Sequence, residues 1–219
     1  MPRATVLRVL RVLVALLGLS SVVLEVVTLV GRGTFTPSNF FSFFTIQSNL
    51  LAAVTLLLVA SRPPAPWLSW LRGLATLCMV VTGLVFAVLL SGLPQDVLTA
   101  VPWDNTVLHY LVPVWFAVDW AVDPPAPVVP LRRALLWLLY PLAYVTYSLV
   151  RGPLVGWYPY PFLDPADGGY GAVAVTSAGI AALGVLLVLL LTWWDARRAG
   201  AGTTKAPDRT GRGPRAGGG

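Results

Sequence analysis

Phe40-Phe41-Ser42-Phe43-Phe44-Thr45-Ile46-Gln47-Ser48-Asn49 runs without a break into the apolar residues 50–60. The stretch is long and apolar enough to cross a bilayer as a helix, yet Thr45, Gln47, Ser48 and Asn49 sit inside it. Unpaired polar groups are costly in hydrocarbon, so side chains of this kind within a span need a structural or chemical reason. The rest of the chain supplies the frame in which to look for that reason.

Of the 219 residues, 57% are hydrophobic and 11% charged, and the mean hydropathy is +0.76. No water-facing globular surface accommodates that balance, so the composition predicts an all-α, polytopic membrane protein. Apolar runs separated by Pro, Gly and Arg clusters predict six membrane helices over residues 8–30, 40–60, 71–90, 103–122, 132–150 and 172–194, together one membrane domain (1–198). The first apolar run has no Ala-x-Ala site after it and reads as an uncleaved helix. Residues 199–219, rich in Gly, Ala, Pro and Arg, are expected to form a disordered basic tail. The lone Cys78 excludes an internal disulfide and carries no metal-ligand spacing; it reads as packing. No metal or cofactor is expected, and membrane lipids are the expected surroundings. The basic net charge of +6 does not predict a nucleic-acid partner, because the arginines lie in loops and ends rather than along a surface interleaved with aromatics.

Their distribution instead predicts orientation. Arg3, Arg8, Arg11, Arg62, Arg72, Arg132, Arg133 and six basic residues from Arg197 onward fall on one side of the six-helix scheme, thirteen in all, against Arg32 and Arg151 on the other. The positive-inside rule then places both termini in the cytoplasm of a multi-pass cell-membrane protein. The helix containing Thr45 enters from the outer face, as does the one containing His109, and both residues lie roughly 8–9 Å below that face. Two helices therefore bring a hydroxyl and the only imidazole of the chain to one depth. Pro113, four residues after His109, opposes the carbonyl of His109 and is expected to kink the helix there. Glu25, Tyr144, Tyr147 and Ser148 lie near the same outer level, while the inner halves read as almost purely aliphatic. On the last helix, Ala174, Ala178 and Ala182 form a small-residue side for close packing.

A threonine hydroxyl becomes a nucleophile when a base takes its proton, and neutral imidazole is the usual base. Thr45 and His109 are a minimal pair of this type, with Asn49, Gln47 or Asn105 as candidate oxyanion donors and Ser48 beside them. The same residue types also have structural uses: Thr and Ser bond their own helix backbone, and Asn and Gln tie helices together. A carrier of a small lipid or protonatable solute, with His109 and Glu25 as ligand or proton sites, is the alternative function, and a purely structural role is a third.

Three motifs carry a resemblance: Phe43-Phe44-Thr45-Ile46-Gln47-Ser48-Asn49-Leu50-Leu51; Leu108-His109-Tyr110-Leu111-Val112-Pro113 with Asp119-Trp120; and Tyr158-Pro159-Tyr160-Pro161-Phe162. Over about residues 5–195 the chain resembles a family of bacterial six-span membrane proteins, itself similar to the androgen-induced-gene-type membrane proteins of animals. Those animal proteins are intramembrane threonine hydrolases of fatty acid esters of hydroxy fatty acids. The resemblance implies a lipid-ester substrate, Thr45 as nucleophile and His109 as its base. The Gln47-Ser48-Asn49 set and the Tyr-Pro-Tyr-Pro-Phe loop have no counterpart mapped in the animal enzymes.

Overall fold

The computed structural model describes residues 1–94, 99–166 and 168–203, and these are helical with short connections and no strand. Five helices among them are long and apolar enough to cross a membrane: Arg3–Gly31 (α1), Phe44–Ser61 (α2), Pro66–Leu90 (α3), Leu131–Val155 (α5) and Gly169–Arg198, the apolar part of α6. The remaining helical segment, α4, is assembled from Pro102–Thr106, Val107–Leu111 and Val112–Val122. It carries Asp104, Asn105, His109 and Asp119, all buried, and falls short of the others in apolarity.

Chain ends and connections follow from local chemistry. Pro66 opens α3 at its first position, where the missing N–H costs nothing, five residues before the expected start at 71. The stretch 40–43 does not join α2: Pro37–Phe40 is a separate helical turn, and Phe43 is extended, so α2 begins at Phe44. Gly156, at φ +64°, closes α5 with its N–H on the Gly152 carbonyl, a left-handed cap that glycine adopts without strain. The last helix, α6 (Gly169–Thr203), runs past the expected end at 194. Arg197 lies over the Trp193 ring (4.1 Å) and Arg198 over Trp194 (5.0 Å), pairs one turn apart that extend the helix beyond its apolar face. Of the expected disordered tail, residues 199–203 are thus helical, and 204–219 lie outside the described residues.

Prolines reset two helices. Pro113 cannot donate to the His109 carbonyl, and the turn just before it, Val107–Leu111, is a wide π turn. Pro141 likewise cannot donate to Trp137, and the turn before it, Leu135–Leu138, tightens to a 3-10 turn. Small residues let backbones approach. Ala15 of α1 packs in one buried cluster with Ala52 and Ala53 of α2, and Gly18 lies close to Val112 and Asn49, while Gly73 of α3 lies under the buried indole of Trp137, where a side chain would overlap the ring. The expected small-residue side of α6 points the other way: Ala174, Ala178 and Ala182 are exposed, and α6 packs through Val173, Ile180 and Val188.

Contacts fix which ends lie together. Arg3 donates to the Val122 carbonyl and Arg198 to that of Ala121, gathering the start of α1 and the ends of α4 and α6. At the opposite end Arg32 donates to the Ala100 carbonyl (3.0 Å) and Arg151 to Asn39 Oδ1 (2.7 Å). Between the two ends, α1, α3 and α4 meet in a buried ion cluster. Arg11 Nε is 3.0 Å from Asp119 Oδ1, Arg72 Nη2 is 2.7 Å from Asp119 Oδ2, and Arg11 also pairs with Asp123. The inner halves are therefore not purely aliphatic, and Arg11 and Arg72 are interior ion-pair partners rather than loop charges. A desolvated guanidinium persists only where a carboxylate meets it in good geometry, which Asp119 provides to both.

Candidate active site

Thr45 is the second residue of α2, in the first turn, where backbone N–H groups have no helical partner and the helix dipole is positive. Its Oγ1 lies 3.1 Å from His109 Nε2. The opposite ring nitrogen, Nδ1, is 3.2 Å from the Asn105 carbonyl oxygen. A carbonyl only accepts, so Nδ1 carries the proton and Nε2 presents a lone pair to the threonine hydroxyl. Phe86, in the π turn that ends α3, stacks on the imidazole with centroids 4.0 Å apart and planes at 26°. Two wide turns thus hold the ring, one carrying it and one covering it.

Tyr160 completes the arrangement. It comes from the loop between α5 and α6, extended between Pro159 and Pro161 and stacked on Phe162 at 5.2 Å. Its hydroxyl accepts the Thr45 N–H at 3.1 Å and lies 3.2 Å from Thr45 Oγ1. With Thr45 donating to His109, the phenol proton is directed at Oγ1, giving one chain of donors from Tyr160 through Thr45 and His109 to the Asn105 carbonyl.

Two cavities meet at this chain. The larger, about 370 Å³, is lined by Thr45, His109 and Tyr160, with Glu25 and Arg32 also in its wall. The smaller, about 50 Å³, is an apolar slot on which Thr45 and Tyr160 border together with Val81, Tyr144, Leu163 and Ile180. Thr45 lies at the boundary of a chamber of mixed lining and a mainly apolar slot.

The other residues singled out from sequence are distributed around this centre. Asn49 donates to the carbonyls of Thr45 (2.9 Å) and Leu108 (3.2 Å), clamping α2 to α4 one turn below the pair, so both amide hydrogens are committed. Gln47 points away, donating to the Phe41 carbonyl and accepting from Tyr140, each at 2.8 Å. Ser48 is fully buried. Asn105 acts through its backbone carbonyl. Glu25 Oε1 accepts the Ala100 N–H at 2.7 Å, and Asp104, fully buried, lies beside Glu25 and Ser21. Tyr144 packs on Phe44 at 5.0 Å and reaches the site only through the apolar slot, while Tyr147 pairs with Ser42 (2.7 Å) outside both cavities.

In place of Asn49 and Gln47, the groups nearest Thr45 Oγ1 and His109 Nε2 are the Tyr160 hydroxyl and the first turn of α2, whose Thr45 N–H already donates to Tyr160. Tyr160 belongs to a motif legible in the sequence, an aromatic held between two prolines, but a loop residue has no helical period that would aim it at Thr45. Among the described residues no group of three or more His, Cys, Asp or Glu side chains is clustered as metal ligands would be. No protein-family model, no curated protein and no solved structure matches this chain.

Proposed function

We propose that this protein is a multi-pass enzyme of the cell membrane that hydrolyses a lipid ester through an acyl-threonine. The observation that carries the reading is the 3.1 Å approach of Thr45 Oγ1 to a His109 nitrogen whose opposite face is tethered to a carbonyl. That is the geometry a general base needs before substrate arrives. In the first step His109 Nε2 takes the Thr45 proton as Oγ1 bonds to the acyl carbon, and the carbonyl electrons move onto oxygen. Collapse of this intermediate breaks the ester C–O bond, and the imidazolium gives its proton to the departing alcohol. Water, deprotonated by the same nitrogen, then attacks the acyl-threonine, releasing the carboxylic acid and returning the proton to Oγ1. The α2 N-terminus and the Tyr160 hydroxyl favour the oxyanion and alkoxide that develop beside them.

A lipid substrate accords with the surroundings: the pair lies among helices of membrane-crossing length, and one of its two cavities is lined mainly by aliphatic and aromatic side chains. The resemblance to the bacterial six-span family, and through it to the animal threonine hydrolases, supports the same assignment. In this reading α4 is the sixth span, its polar residues shielded by α1, α2 and α3. Both termini are cytoplasmic, since Arg3, Arg8, Arg62, Arg132, Arg133, Arg197 and Arg198 crowd one end against Arg32 and Arg151 at the other. A fluorophosphonate probe tests the chemistry: it labels the wild type, and Thr45→Ala or His109→Ala abolishes labelling while the thermal unfolding transition remains.

Two buried carboxylates, Glu25 in the wall of the larger cavity and Asp104 beside it, favour a second reading, a carrier of a protonatable solute. It predicts that Glu25→Gln abolishes solute binding and that no acyl probe ever marks Thr45.

A further inference from the structure

At the end of the bundle away from Thr45 and His109 lies a second cleft, about 700 Å³, between the start of α1, the α2–α3 connection and the end of α4. Six guanidinium groups line it, those of Arg3, Arg8, Arg11, Arg62, Arg72 and Arg198, and Asp123 is the only acidic side chain among its lining residues. Asp119, behind the cleft wall, and Asp123, in the wall, neutralise Arg11 and Arg72. Arg3 and Arg198 bond only to the uncharged carbonyls of Val122 and Ala121. Among the described residues Arg8 and Arg62 have no hydrogen-bond or ion-pair partner. Four positive charges therefore face one concavity, and among the described residues no carboxylate pairs with any of them. The first turn of α3, through Leu68 and Ser69, borders the same space and adds the positive end of a helix dipole.

We propose that this cleft binds a phosphate-bearing anion. A guanidinium fork matches phosphate oxygens bidentately, and several forks converging on one concavity favour a tetrahedral phosphoryl oxyanion over chloride or a single carboxylate. The volume falls within the range of small-molecule sites and exceeds what one small ion fills. Trp193 and Trp67, both half-exposed, lie at the same end, at the level amphipathic rings take among lipid headgroups. The phosphate can thus belong to an anionic lipid or to a soluble phosphate compound. The proposal is independent of the chemistry at Thr45.

The test uses the full-length protein purified in a zwitterionic detergent, with Arg8→Ala/Arg62→Ala as the cleft variant. Arg132→Ala/Arg133→Ala serves as a control that removes equal charge at the same end outside the cleft. Native mass spectrometry measures retention of phosphatidylglycerol against phosphatidylcholine, and calorimetry measures binding of inorganic pyrophosphate. Ligand-free unfolding of each variant verifies the fold. The expected result is affinity for at least one probe that falls at least about tenfold in the cleft variant and is unchanged in the control. Preference for phosphatidylglycerol alone identifies a headgroup site, and pyrophosphate binding alone a soluble ligand. Absence of binding to both probes, or an equal loss in the two variants, overturns the proposal, since the arginines then act only as diffuse surface charge.

Discussion

Gly83 offers a way to move the imidazole without touching it. A methyl group added there would place its carbon 2.8 Å from Pro113 Cβ and 3.3 Å from the His109 carbonyl oxygen. Carbon atoms pack at about 3.5–4.0 Å, so α3 and α4 must part by about 1 Å at this level. Neither a proline ring nor a backbone carbonyl can swing aside as a flexible side chain would. His109 lies one turn from Pro113, and a displacement of that size takes its Nε2 from 3.1 Å to beyond hydrogen-bond reach of Thr45. A misplacement of about 1 Å costs up to about 100-fold in rate. The stability cost is smaller: overpacking destabilises by about 1–3 kcal/mol, and replacing a helical glycine returns about 1 kcal/mol. Gly83→Ala should therefore remain folded while reacting with a fluorophosphonate about 100-fold more slowly. Gly179→Ala is the control, because a Cβ there meets nothing within 4 Å and only the helix-propensity gain remains. The assay pairs the labelling rate constant with thermal unfolding in the same detergent. A folded Gly83→Ala protein that labels at the wild-type rate would refute the idea that this close approach sets the catalytic geometry.

Three further outcomes follow from the same contacts. Tyr160→Phe removes the acceptor of the Thr45 N–H and the donor to Oγ1, and should slow labelling about tenfold with little change in fold, checked by the same rate assay. Asp119→Ala leaves the guanidiniums of Arg11 and Arg72 short of their shared partner in the interior and should destabilise by about 3–5 kcal/mol, read from denaturant unfolding in mixed micelles. Asn49→Leu removes the clamp between α2 and α4; Asn49→Asp, which keeps the shape but cannot donate to two carbonyls, should impair labelling comparably, measured side by side with Asn49→Leu.

Helical architecture was legible because apolar runs of membrane length leave few alternatives, and the shared depth of Thr45 and His109 followed from counting residues down two helices that enter from the same face. What the sequence concealed has identifiable causes. Arg72 reads as a loop-end charge if α3 starts at 71, but the proline at position 66 starts it a turn earlier and carries Arg72 inside. Its partner Asp119, like Asp123, becomes meaningful only once α1 and α4 are known to touch. Tyr160 is positioned by prolines rather than by helical period, so no spacing rule points it at Thr45. Gln47 shares the polar stretch with Thr45 yet faces α5, since residues two apart on a helix point in different directions.

The most direct test of the Thr45–His109 chemistry is to locate the adduct. Wild-type protein treated with a fluorophosphonate and digested should yield a single modified peptide carrying the phosphonyl group on Thr45, absent from His109→Ala protein prepared in parallel. Modification at another residue, or adduct on Thr45 at undiminished rate without the imidazole, would contradict the account.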